Sequence, residues 1–202
     1  IADFANVHSN DLFTFSFTSG TTGQPKAVML TQENAIAAVA AGQNLDDRIC
    51  KDDVYLSYLP LAHIMERLII NTVISVGATA VYYRGDPKKI IDDIQLAKPH
   101  VFAGVPKVFN TFYSKIKEKF ESLPPVKKNL IEKAVNSKLS NLHEKGIYTH
   151  SLYDKIFFSK VRETFGGRLS KGITGAAPVS PEILDFLKVT LCCPILEGYG
   201  QT

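Results

Sequence analysis

The chain has 202 residues, 45% apolar and 21% charged, with a formal net charge of +3. That length allows one good core or two small ones, and the composition is that of an ordinary globular protein. No apolar run approaches the roughly 20 residues of a membrane span, because the richest stretch, Leu68 to Val76, is interrupted by Asn71, Thr72 and Ser75. Three cysteines, Cys50 and the adjacent Cys192-Cys193, form neither a disulfide framework nor a C-x-x-C metal pair. Apolar packing is the expectation for all three. No secretory signal opens the chain, and it lacks an initiator Met.

In chain order, Leu12 to Phe17 alternates as a strand and delivers Thr18-Ser-Gly-Thr-Thr-Gly-Gln-Pro-Lys26. A second strand follows around Ala27 to Leu30. Thr31 suits the N-cap of a helix from Gln32 to about Gln43, with Glu33 favourable in its first turn. Val54 to Leu59 reads as a strand stopped by Pro60. Ile64 to Val76 reads as a mostly buried helix ended by Gly77. Ala78 to Tyr83 is a strand, Pro87 to Lys98 a helix closed by Pro99, and His100 to Gly104 another strand.

From Pro106 to Thr164 the pattern turns helical, with breaks at Pro124-Pro125 and near Gly146. Between Lys107 and Lys171 there are 14 Lys/Arg against 6 Asp/Glu. A segment so basic faces either an anionic membrane or ligand, or simply solvent. Leu169 to Ile173 resumes the strands. Ser180-Pro181-Glu182 carries helix-start signals, and Pro194 to Glu197 is the last strand. Strands alternating with helices imply an α/β fold with a parallel-rich sheet and flanking helices. Residues 106–165 are read as a basic helical insertion within a single domain spanning 1–202.

The loop from Thr18 to Lys26 carries the most chemistry. Its glycines let backbone N–H groups turn inward around an anion, and its hydroxyls and Lys26 add donors and charge. Such a loop suits a polyphosphate. It is not the common G-x-x-x-x-G-K-[ST] cradle: counted from Gly20, Pro25 stands at the second glycine position and Ala27 follows Lys26.

Its order instead resembles the signature loop of the adenylate-forming enzymes, T-S-G-[ST]-T-G-x-P-K-G-V, with Ala27 the one departure. Thr174-Gly-Ala-Ala-Pro-Val-Ser180 resembles that family's adenine-side segment, and Glu197-Gly-Tyr-Gly-Gln-Thr202 its Y-G-x-T-E motif. The stretch from Gly104-Val-Pro-Lys107 to Gly166-Gly167-Arg168 is similar to the long-chain acyl-CoA synthetases of eukaryotic type. The chain is then expected to be part of the large N-terminal domain of such an enzyme.

The resemblance implies a ligase that turns a fatty acid and ATP into acyl-AMP and pyrophosphate, then forms acyl-CoA. It implies ATP, Mg2+ and coenzyme A as cofactor and substrates. Thr18, Ser19, Gly20, Thr21, Thr22, Gly23 and Lys26 would hold the phosphates, with Thr202 on the α-phosphate. Thr18 would also be a magnesium ligand. Gly175, Ala176 and Ala177, with Gly198, Tyr199 and Gly200, would surround adenine, and His63 would touch the acyl-adenylate.

Further expectations follow the same resemblance. The Glu expected after Thr202 and the lysine-bearing C-terminal domain are not in the sequence, so an inactive internal fragment that self-associates is expected. A place on the cytoplasmic face of a membrane is implied, with an anionic membrane as partner of the basic section and no nucleic acid. Two alternatives stay open: an adenylating enzyme for another carboxylate, and a non-catalytic fragment that binds a membrane or partner.

Overall fold

A computed structural model describes residues 6–18 and 25–200. Its elements are β1 (Leu12–Thr18), β2 (Lys26–Thr31), α1 (Gln32–Gln43), β3 (Val54–Ser57), α2 (Ile64–Val76), β4 (Thr79–Tyr82), α3 (Ile90–Ala97), β5 (Val101–Gly104), α4 (Pro106–Glu121), α5 (Pro125–Lys145), α6 (Ser151–Tyr153), α7 (Ser159–Thr164), β6 (Lys171–Thr174), α8 (Pro181–Leu191) and β7 (Ile195–Glu197). A 3-10 turn (Pro87–Lys89) precedes α3, and a π-helical turn (Asp154–Phe158) joins α6 to α7. The fold is α/β.

Five strands make one sheet in the order β4-β3-β5-β6-β7. The β3–β5, β5–β6 and β6–β7 pairs run parallel. The first two strands do not join it. They form a separate antiparallel pair, with Thr18 opposite Lys26 and Phe15 opposite Met29.

The chain divides into two compact units, one of residues 1–52, 59–80 and 200–202, the other of 53–58 and 81–199. In the first, Thr31 caps α1 as expected: its Oγ1 accepts from Asn34 N at 3.3 Å, and its own N–H donates to Asn34 Oδ1 at 3.0 Å. This reciprocal box satisfies two backbone donors that a helix start leaves open. Helix α1 packs along α2, and Gly77 ends α2 at φ 70°, where a side chain would be strained. Arg67 anchors this unit, donating from Nε to Leu61 O at 3.1 Å and from Nη1 to Thr14 Oγ1.

The second unit owes its core to aromatic residues of the helical section. Phe109, Phe112, Ile116 and Phe120 recur along one face of α4 at helical spacing and are all buried. Phe112 meets Phe102 of β5 at 5.3 Å and Phe165 at 4.6 Å between ring centroids, while Phe120 meets Phe186 of α8 at 6.2 Å. The helices of 106–165 therefore share one core cluster with the sheet and α8.

Two side chains depart from expectation. Cys50 is exposed rather than packed, with Sγ 3.7 Å from Arg48 O, because it follows buried Ile49 into a turn. Ser180 stands at the N-cap of α8, but its side chain makes no cap bond. The nearby Val179 N–H is instead taken by Glu197 Oε1 at 3.1 Å.

Candidate functional site

Thr18 and Lys26 face each other at the end of the hairpin, the half-buried Thr18 hydroxyl donating to Lys26 O at 3.4 Å. The Lys26 side chain is exposed. Ser19, Gly20, Thr21, Thr22 and Gly23, expected at the phosphates, lie outside the described residues, as does Thr202. His63 occupies the N-cap position of α2, but its side chain is exposed and makes no cap bond. The imidazole is thus neither capping nor packed.

The second unit brings together the two segments expected to face adenine. Strands β5, β6 and β7 end side by side at Gly104, Thr174 and Glu197, which are in register. Gly198 N–H donates to Thr174 O at 2.8 Å, and Glu197 holds Val179 N–H across the turn. These two bonds lace the Gly175–Ser180 turn to the Glu197–Tyr199 segment. Gly175 is buried, whereas Ala176 and Ala177 are exposed. Ala176 has φ 72°, a left-handed conformation that costs a non-glycine residue about 1–2 kcal/mol. Strain of that kind gathers at ligand sites.

Tyr199 follows on an exposed segment with its side chain 90% exposed. Aromatic rings of this kind stack on flat ligands. The carboxyl edge of parallel strands is where open α/β sheets bind ligands. Two residues of this edge were not singled out by the sequence reading. Thr174 and Glu197 were visible only as motif ends, and strand register gives them their place.

Not all of the basic section is free charge. Lys138 is fully buried, donating to Asp154 Oδ1 and to Val189 O at 2.5 Å, with its Nζ 4.6 Å from the Phe158 ring centre. Lys171 pairs with Asp53 at 2.9 Å, and Arg168 Nε donates to Lys98 O at 2.8 Å. Burial pushes the Cys192 thiol up to about 11, against the opposing pull of Lys138 3.2 Å away. Among the described residues, no group of three His, Cys, Asp or Glu is placed to hold a metal, and no helix is long and apolar enough to cross a membrane.

A family model described as AMP-binding enzyme matches residues 2–202. The chain is 42% identical over 201 residues to the peroxisomal long chain acyl-CoA synthetase 7 of Arabidopsis thaliana, covering 98% of this chain and 28% of that protein. It is 40% identical over 195 residues to the long-chain-fatty-acid–CoA ligase 5 of Rattus norvegicus, covering 95% of this chain and 28% of that one. The chain thus spans less than a third of these relatives' length.

Among solved structures, the adenylation domain of a carboxylate reductase from Mycobacterium chelonae superposes with a TM-score of 0.71 at 29% identity, covering 96% of this chain and 27% of that one. The adenylation domain of a carboxylic acid reductase from Segniliparus rugosus, solved with AMP, shares the fold with a TM-score of 0.63 at 22% identity, covering 96% of this chain and 28% of that one. With a family match along nearly its whole length, the chain belongs to the AMP-binding enzymes.

Proposed function

We propose that this chain is the part of a long-chain fatty acid–CoA ligase that holds ATP and the acyl group during adenylate formation. In that reaction a carboxylate oxygen bonds to the α-phosphorus of ATP as the bond to pyrophosphate breaks. The thiol of coenzyme A then displaces AMP from the acyl carbon. The work asked of the protein in the first step is mainly electrostatic and geometric. The observation that carries this reading is the lacing of Gly175–Ser180 to Glu197–Tyr199 at the carboxyl edge of β6 and β7. Identity near 40% to long-chain synthetases supports the acyl class.

In this reading Gly175, Ala176 and Ala177 wall the adenine and Tyr199 stacks beside it, while Gly198 and Gly200 leave the backbone bare for the nucleotide. Ser19, Gly20, Thr21, Thr22, Gly23 and Lys26 take the β- and γ-phosphates, and Thr202 takes the α-phosphate. His63 contacts the acyl-adenylate. Magnesium would neutralise phosphate charge here. The Thr18 hydroxyl spends its hydrogen on Lys26 O and keeps lone pairs for a hard cation. One neutral oxygen fits such an ion as a single ligand beside substrate phosphates, which suits the ion's preference for few protein donors.

The test is ATP–pyrophosphate exchange by the full-length protein, acid by acid. Palmitate is expected to support exchange best. Lys26→Ala should raise the KM for ATP about tenfold, the loss of one charge-assisted phosphate contact, with the KM for palmitate unchanged. If octanoate or an amino acid outruns palmitate, the long-chain assignment is wrong. An unaltered ATP KM in Lys26→Ala would remove the phosphate role of the loop's lysine.

A further inference from the structure

A lysine with no exposed surface calls for a physical reason, because taking an ammonium out of water costs several kcal/mol. Lys138 of α5 is such a residue. Its Nζ is held by the Asp154 carboxylate, by Val189 O at 2.5 Å and by Cys192 Sγ at 3.2 Å. The first two contacts answer its charge. The third adds little to that, since a thiol sulfur is a weak acceptor. What it does set is a distance for chemistry: atoms about 3–3.5 Å apart stand where a bond between them can form.

The surroundings suit a reaction at this sulfur. Cys192 is half-buried, so a small oxidant reaches it from solvent, whereas Lys138 is closed off from water. Apart from Lys138, the recorded partners of the sulfur are the distant Val189 O and Thr190 O, at 3.7 and 4.0 Å. Asp154 acts on both groups, pairing with the ammonium and taking a hydrogen bond from the thiol. A carboxylate so placed can accept a proton that bond formation releases.

We propose that Lys138 and Cys192 form an oxidative modification site, at which a peroxide links Nζ to Sγ as a sulfenamide. In the first step the thiolate sulfur attacks one peroxide oxygen. The S–O bond forms and the O–O bond breaks, so sulfur is oxidised to the sulfenic acid and the peroxide is reduced to water. In the second step the ammonium gives one proton to Asp154, and the freed Nζ lone pair attacks sulfur. The S–N bond forms, the S–O bond breaks, and the hydroxyl leaves as water with a second proton from Nζ. No further oxidant is consumed. A thiol reductant reverses the link by attacking sulfur and releasing the amine. The bond ties α5 to the cap that leads from α8 into β7. Burial raises the thiol, and only the thiolate attacks, so the site answers to sustained peroxide and not to a brief pulse.

The experiment is peptide mapping by mass spectrometry of the full-length protein after hours in hydrogen peroxide. The expected product is a pair of tryptic peptides joined through Lys138 and Cys192. It should be lighter than the two separate peptides by two hydrogens, uncut after Lys138, and parted by dithiothreitol. It should persist in Cys193→Ser and be absent from Cys192→Ser. Unfolding in urea before oxidation should abolish it, because the fold supplies the proximity. Cys192 recovered as a sulfinic or sulfonic acid, with normal cleavage after Lys138, overturns the proposal. So does a Cys192–Cys193 disulfide as the product, a link that forms equally in urea, or a thiol that stays reduced throughout.

Discussion

The two compact units hold their candidate site residues in different ways. The unit of 53–58 and 81–199 presents Gly175–Ala177 and Tyr199 from the ends of strands backed by a dense aromatic core. The unit of 1–52 and 59–80 presents Thr18 and Lys26 from a two-stranded hairpin whose Phe15, Phe17 and Met29 side chains are largely exposed. A lone two-stranded ribbon is marginal in water. Here it is supplemented by a capped helix and by the Arg67 bonds to Thr14 and Leu61. The difference teaches how stability is distributed: the segments carrying Gly175–Ala177 and Tyr199 stand on strands anchored by a buried core, whereas Thr18 and Lys26 are placed by a few local hydrogen bonds.

That comparison breaks most sharply at Asp154. Replacing it by Ala leaves the buried Lys138 side chain without the carboxylate it pairs with. A buried charge deprived of its partner costs about 3–5 kcal/mol, so urea unfolding of Asp154→Ala should show a large loss in the transition of the second unit. A loss under about 1 kcal/mol would mean that the pair behaves as a surface ion pair and that the core does not depend on it. In the first unit, Thr31→Ala removes one half of the α1 capping box and should cost about 1 kcal/mol. Hydrogen exchange reads it locally: the amides of α1, Asn34 first, should exchange faster while those of α4 and α8 keep their protection. If α4 and α8 lose protection equally, the two units unfold as one and the contrast drawn above is wrong.

Much of this architecture was legible because local signals and tertiary packing agree. Gly77, Pro106, Pro125, Gly146 and Pro181 mark helix ends where the chain cannot do otherwise, and α2 runs from Ile64 to Val76 as its pattern requires. What stayed hidden is what periodicity does not encode. Alternation in Leu12–Phe17 announces a strand but not its partner, so the separate antiparallel pairing could not be read from it. A count of lysines does not show that Lys138 points inward, because burial of a lysine depends on Asp154 and Phe158, 16 and 20 residues away in sequence. In the site, Gly175 and Tyr199 were found by motif. Thr174 and Glu197 gain meaning only from the register of β5, β6 and β7.

The smallest expected effect tests the same buried network through pH. Burial raises the Cys192 thiol from 9.0 to about 11, and Lys138 opposes the shift. The folded state therefore holds this proton more tightly than the unfolded chain does. Its contribution to stability is fully present below pH 9, and it declines as pH rises through 9 toward 11. The thiol is only partly buried, so the decline should amount to roughly half a kcal/mol at pH 10 after screening. The comparison is Cys192→Ser against the parent, with urea midpoints taken at pH 7, 8, 9 and 10. The parent should lose ground to the variant only above pH 9, where the thiol begins to lose its proton in the unfolded chain. Curves that stay parallel across this range would show that the thiol is not held by the Lys138 network, and that Cys192 merely ends α8 in its left-handed cap at φ 57°.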